Sequence, residues 1–185
     1  DVYKRQVMMT TVQGNDNAIG YVSLGSLSDS VKEVTVDGIE GTAENVKSGK
    51  YKISRPFNLC YYDGKLSKLA EDLINFIMSD EGQKTVDKEG YISVESGKSY
   101  KASGLKGKIT VAGSTSVAPL MNVIADEYKK LNPGVTIEIQ ESGSTAGIQS
   151  ATEKAVDIGM SSRELKDDEA KTLATKKIAM DGIAV

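Results

Sequence analysis

The sequence predicts an α/β fold in which a parallel sheet is flanked by helices. Two observations carry this. Residues 108–185 alternate between short β-branched runs and helix-periodic runs, on a spacing that suits parallel strands joined by right-handed crossovers. Three of the strand-like runs also lead directly through a Ser/Thr/Gly turn towards a helix. These are 109–112 into Gly113-Ser114-Thr115-Ser116, 135–140 into Ser142-Gly143-Ser144-Thr145-Ala146-Gly147, and 156–159 into Ser161-Ser162-Arg163. A helix start carries unpaired N–H groups and the positive end of the helix dipole. Hydroxyls and glycines there let an anion approach the backbone. Parallel sheets place ligands at the carboxyl ends of their strands, so all three turns are expected on one edge, as an oxyanion site.

The elements follow in order. Residues 18–24 (AIGYVSL) read as a buried strand, and 32–37 (KEVTVD) alternate as a half-exposed strand that Gly38 turns. Residues 42–47 suit a short helix ended by Gly49. Residues 51–62 read as a longer strand; Pro56 inside it points to an edge or a crossing between lobes. Leu66, Leu69, Ala70, Leu73 and Ile77 have the i, i+3, i+4 spacing of an amphipathic helix. A second short helix starts at Asp80-Glu81-Gly82-Gln83 and stops at Gly90. Residues 95–107 (ESGKSYKASGLKG) read as a linker. Val117, Leu120, Met121, Ile124, Ala125, Tyr128 and Leu131 form one apolar stripe, stopped by Asn132-Pro133-Gly134. A strand at 135–140, a helix through Ile148 to Lys154, the strand VDIGM and a helix near 167–175 complete the alternation.

Composition bounds the function classes. With 185 residues, 39% of them hydrophobic, the chain suffices for one ordinary core or two small lobes. A net charge of −3 gives no sign of a nucleic-acid partner or an anionic membrane face. No apolar run has transmembrane length and no signal peptide is seen. The absence of histidine removes Ser-His-Asp and Cys-His catalysis and His-based metal sites. The single Cys60 lies in the apolar run 58–62 and reads as a small buried hydrophobe. No glycine-rich loop ends in Gly-Lys-Ser/Thr, which excludes a nucleotide P-loop. Asp167-Asp168-Glu169 read as solvated carboxylates at a helix start; for residues 161–164 the bland alternative to an anion turn is a capped helix with a surface Arg163–Glu164 pair. Each Ser/Thr turn taken alone is accounted for by helix capping, worth about 1 kcal/mol; the recurrence at consecutive strands favours an anion site.

These motifs resemble a known family. Residues 113–120 (GSTSVAPL), 143–148 (GSTAGI) and 157–163 (DIGMSSR) resemble the opening of the phosphate-binding proteins that serve phosphate ABC transporters. Residues 17–22 (NAIGYV), 51–56 (YKISRP), 76–79 (FIMS), Glu81-Gly82-Gln83 and Gly90-Tyr91-Ile92 resemble its closing part. The resemblance covers nearly all of residues 12–185, with the closing segment first. The simplest account of that order is the end of one copy followed by the beginning of another, in a tandem or fused parent cut at both sides; a circular permutation is the lesser alternative. The expected organisation is a closing part at 7–98, a linker at 99–107 and an opening part at 108–185. Residues 1–6 can be encoded by a transposase end sequence used to prepare sequencing libraries, and are expected to be a non-native head. Residues 51–98 and 108–185 are expected to pack together as one lobe.

The resemblance implies periplasmic-binding-protein-like (type II) lobes, partial and permuted in order, with an anion held in the cleft between them. It implies extracytoplasmic capture of inorganic phosphate and delivery to the permease subunits of an ABC transporter, with no catalysis, no cofactor and no metal. Membrane contact would come only through an anchor outside these residues, as in a lipoprotein. The family's phosphate ligands carry over onto Thr115 and Ser144, with Ser116 and Thr145 as second choices in the same turns. In some members an Asp after the third strand accepts the phosphate proton; that position is Ser162 here, followed by Arg163, and both join the expected phosphate-binding residues, so preference for phosphate over sulfate is not implied. The family's Ser-Gly-Thr loop and nearby Arg on the second lobe have no match here. A structural or adhesive extracellular domain on the same fold, or a binder of another oxyanion, is the alternative, and a hydrolase is disfavoured by the lack of a nucleophile beside a base.

Overall fold

The computed structural model describes residues 2–185, with side chains from Gln6 onward. Of the head expected at 1–6, Asp1 lies outside the described residues; residues 2–6 open helix α1 (Val2–Gln13). The remaining elements are β1 (Val22–Ser23), α2 (Ala43–Lys47), β2 (Ser54–Tyr62), α3 (Lys68–Ile77), α4 (Asp80–Lys88) and β3 (Ile92–Ser93), then β4 (Gly107–Gly113), α5 (Ala118–Leu131), β5 (Val135–Glu141), α6 (Ser144–Thr152), β6 (Ile158–Ser161) and β7 (Leu173–Ala184).

Local chemistry accounts for the helix boundaries. Thr42, Ser67 and Ser79 each stand before a helix with a hydroxyl that accepts from an amide three residues on, Asn45, Ala70 and Gly82 respectively. Gly49 and Gly90, at φ +71 and +80, end the chain's turns after α2 and α4. The apolar faces of α3 and α5 bury Leu73, Ile77, Leu120, Met121 and Ile124 completely.

The sheet is mixed rather than purely parallel, in the order β1-β7-β2-β6-β4-β5, with β3 on β7. β5, β4 and β6 are parallel, as the alternation predicts. β2 is antiparallel to both β6 and β7. Pro56 is accommodated because β6 pairs only with residues 58–60 of β2, so at Pro56 the strand has a ladder partner only in β7. Phe57, Leu59, Leu73, Ile77, Ile109, Leu120, Ile158 and Ile178 share one core, with Leu66 and Leu69 packed against it. Residues 51–98 and 108–185 therefore form one lobe, as expected.

Four expectations are corrected. The strand at 18–24 shrinks to β1, which pairs only with Ile183 and Ala184, leaving Ile19 and Tyr21 77% and 75% exposed. Residues 32–37 make no strand; Val36 and Ile39 form one bridge around Asp37 and Gly38, both at positive φ. The helix near 167–175 is replaced by a 3-10 turn at Glu169–Lys171 and by β7, whose pairing with β2 outweighs the local helical preference. Leu131 is 48% exposed and leaves the apolar stripe. The 95–106 stretch lacks regular structure but is tied down: Glu81 accepts from the Ser99 hydroxyl and the Tyr100 amide, and Asp72 accepts from Tyr100, Ser103 and Tyr128. No helix among the described residues is long and apolar enough to cross a membrane.

Candidate anion site at the sheet edge

The carboxyl ends of β4, β5 and β6 are bound to one another. Gly113 closes β4 at φ +143, and its carbonyl accepts from the amides of Ser142 (2.9 Å) and Gly143 (2.8 Å) beyond β5. The Ser114 amide donates to the Met160 carbonyl of β6 at 2.9 Å. Helix α6 starts directly above: a Cβ on Gly147 would lie 2.5 Å from Gly113 Cα and 2.6 Å from Ala112 O. Only glycine permits that approach, so the second turn is drawn over the first.

This assembly brings the turns at Thr115, Ser144 and Ser162 to one edge. Ser144 Oγ accepts from the Ser162 amide at 3.0 Å and lies 3.3 Å from Ser162 Oγ. Neither helix uses a hydroxyl as its cap. Gly143 precedes α6 and Val117 precedes α5, and no side-chain cap bond is made at either. The first amides of α6 have no intrahelical acceptor, whereas at α5 the Ala118 amide donates to the Ser114 carbonyl at 3.0 Å and Pro119 has no N–H. Ser114 is buried and serves its own turn, accepting from the Ser116 amide at 3.3 Å. Thr115 and Thr145 are exposed and Ser116 is half-buried, and among the described residues their hydroxyls have no partner.

The third turn departs from the pattern. Ser162 is followed by no helix, so this edge carries two helix N-termini, not three. Arg163 pairs with Glu169 instead of Glu164, through two bonds of 2.8 Å. Glu164 accepts from Asn58 Nδ2 at 3.1 Å and faces Lys177. Glu169 is thus not a solvated carboxylate; the Arg163 hydrogen bonds hold its carboxyl down at about 2, and the same contact raises the arginine. Cys60 is buried and its thiol is pushed up to about 12 by desolvation, which keeps it unreactive. Among the described residues no three His, Cys, Asp or Glu are grouped to hold a metal.

Sequence reasoning missed Asn58 and Glu169. Asn58 is 1% exposed and donates to the Arg163 carbonyl at 3.2 Å, across 105 positions of sequence. Its only sequence signal is a polar residue inside the apolar run 57–60. Asp157 also carries a bracing role, accepting from the Thr110 amide and hydroxyl at 2.7 and 2.8 Å.

Known proteins resemble this arrangement. Residues 98–185 match the PBP superfamily domain. The crystal structure of a phosphate-binding protein of a phosphate ABC transporter from Streptococcus pneumoniae TIGR4 matches at 47% identity with a TM-score of 0.93, covering 97% of this chain and 70% of that one. The chain belongs to the phosphate-binding protein family of phosphate ABC transporters. Within this family, phosphate-binding protein PstS 2 of Streptococcus agalactiae is 48% identical over 180 residues, 97% of this chain and 61% of that protein. PstS 2 of Streptococcus pneumoniae is 48% identical over 179 residues, 96% of this chain. The chain spans 61% of the length of these two family members. Both alignments run through the segments on either side of residues 95–106, in the order found here.

Proposed function

We propose that this chain supplies one wall of the cleft of an extracytoplasmic protein that captures inorganic phosphate and hands it to the permease subunits of an ABC transporter. The observation that carries the reading is the convergence of Thr115, Ser144 and Ser162 at one sheet edge, beside two helix starts whose caps use none of these hydroxyls. Hydroxyls freed from capping, with amides beside them, offer donors to an oxyanion in a site that costs little to organise. Thr115 and Ser144 are the leading ligands, with Ser116 and Thr145 in the same turns and Ser162 presenting its hydroxyl. On this reading the site binds and releases its ligand unchanged, which the binding-protein names of the family members support. The phosphate-binding names of the family members support the choice of anion.

The segment order belongs to this reading. Relatives that align over both segments in one run support a single domain in which residues 7–98 precede residues 108–185, in place of a tandem of two copies. Residues 99–107 would then join them, held on the lobe by Glu81 and Asp72.

The test is calorimetric titration of phosphate into the full-length protein, with sulfate as competitor. Binding abolished or weakened at least tenfold by Thr115→Ala and Ser144→Ala is expected. No heat with phosphate or sulfate would favour a structural or adhesive domain, and displacement of phosphate by equimolar sulfate would make the protein a general oxyanion binder.

A further inference from the structure

Arg163 follows Ser162 at the anion edge, where a cation would be expected to reach the ligand, yet its side chain is already committed. Nη1 donates to Glu169 Oε2 (2.8 Å) and to the Glu164 carbonyl (2.9 Å), and Nη2 donates to Glu169 Oε1 (2.8 Å). Glu169 Oε2 accepts in addition from the Lys166 amide at 2.8 Å. Arg163 and Glu169 side chains are 31% and 16% exposed, so the pair is shielded from most of the solvent. To touch an anion, Arg163 would have to break a bidentate, charge-assisted contact.

The main chain at the same place is fixed as firmly. Ser161 Oγ donates to the Arg163 carbonyl at 2.8 Å and accepts from the Arg163 amide at 3.2 Å, and Asn58 Nδ2 donates to the same carbonyl at 3.2 Å. Ser161 and Asn58 are both buried. Ser162 stands between these anchors and the Ser144 hydroxyl that its amide contacts.

We infer that Arg163 and Glu169 are positioning residues whose ion pair closes the 163–169 loop and holds Ser162 against Ser144 in the geometry that receives the anion, and that Arg163 does not itself contact it. This rests on the reading that this edge binds phosphate. The two roles for Arg163 predict opposite signs for a change at its partner. If Arg163 were a ligand, removing Glu169 would free the guanidinium and tighten binding. If the pair positions Ser162, removing either partner loosens the loop and weakens binding.

The experiment is phosphate titration by calorimetry on the full-length protein at two ionic strengths, with Arg163→Ala, Arg163→Lys, Glu169→Ala, Glu169→Gln and the Arg163→Ala/Glu169→Ala double variant, each checked by thermal unfolding. Glu169→Ala and Arg163→Ala are expected to weaken binding by a similar factor, on the order of tenfold. The double variant should lose no more than either single one. Arg163→Lys should fail to rescue, because an ammonium cannot make the bidentate contact. The salt dependence of binding in the double variant should match the wild type, since removing the neutral pair changes no net charge at the site. Glu169→Gln, which keeps the shape, should fold and lose less than Glu169→Ala. Tighter or unchanged binding in Glu169→Ala, full rescue by Arg163→Lys, or a shallower salt dependence in the double variant would overturn the inference. A wild-type protein that binds no phosphate would overturn the proposed function instead.

Discussion

The Ser144 hydroxyl separates two uses of a serine at a helix start. A capping serine would accept from an amide of its own helix; Ser144 instead accepts from Ser162 across the sheet edge. Ser144→Ala in the full-length protein is therefore expected to weaken phosphate binding by roughly 1.5–3 kcal/mol, about ten- to 150-fold. Its stability should fall by no more than the one hydrogen bond lost from the Ser162 amide, about 0.5–1.5 kcal/mol. Calorimetry beside thermal unfolding checks both. Glu169 carries a second expectation. Its carboxyl, ordinarily near 4.5, is held at about 2 by the Arg163 hydrogen bonds. A depressed folded-state value means the pair's contribution is complete above 4.5 and is lost as pH falls towards 2. Stability measured by denaturant between pH 5 and 2 should thus fall more steeply in the wild type than in Glu169→Gln. Some acid sensitivity will persist in the variant, because Glu81 is also held at about 2, by the Ser99 hydroxyl and then the Tyr100 amide. At this scale the gathering of the turns at Thr115, Ser144 and Ser162 at one edge was legible, since each turn has its own local signature. Asn58 and Glu169 were not, because their roles depend on partners that the sheet delivers.

At the scale of elements, α6 is held on the sheet by contact of backbone with backbone. Gly147 meets Gly113 and Ala112, and Gly159 faces the Gly147 carbonyl at a distance of 2.7 Å from a built Cβ. Gly147→Ala must push α6 away from β4 and β6. The expected cost is roughly 1–3 kcal/mol, or about 2–12 °C in melting temperature. Because Ser144 opens the same helix, phosphate affinity should fall with it, and calorimetry on the folded variant reads that loss. If Gly147→Ala keeps both stability and affinity, the close approach is not what sets the site. The same scale explains the failed strand and helix expectations. Residues 18–24 have the composition of a buried strand, but β7 offers them only its last residues as a partner. A helix is expected near 167–175, yet Leu173 is buried in the sheet because β2 is long enough to pair residues 173–175.

For the whole molecule, the expectation concerns affinity. Micromolar binding requires about 8 kcal/mol and millimolar binding about 4. Two exposed helix ends contribute about 0.3–1 kcal/mol each, and two or three hydroxyl contacts to a charged anion add roughly 1.5–3 kcal/mol each when water is excluded. On the proposed reading the 185-residue chain presents these donors on one edge, and it has no match to the Ser-Gly-Thr loop and Arg that the family resemblance implies for a second lobe. Both contributions shrink in water, so this chain alone is expected to bind phosphate no more tightly than roughly millimolar. A micromolar dissociation constant by calorimetry would show that one wall suffices.

The sequence by itself determined the parallel β4–β6 core of the sheet, the amphipathic faces of α3 and α5, and the three turns that carry the candidate ligands. Each of these depends on periodicity or on the dihedral and capping needs of a few adjacent residues, which are written locally. Only the tertiary structure decided that the sheet is mixed, that β7 replaces a helix, that Ser162 precedes no helix start, and that Arg163 is occupied by Glu169. Those outcomes depend on which distant strand is free to pair and which buried group meets which. Residues as far apart as Asn58 and Arg163 leave no trace of that meeting until the chain is folded.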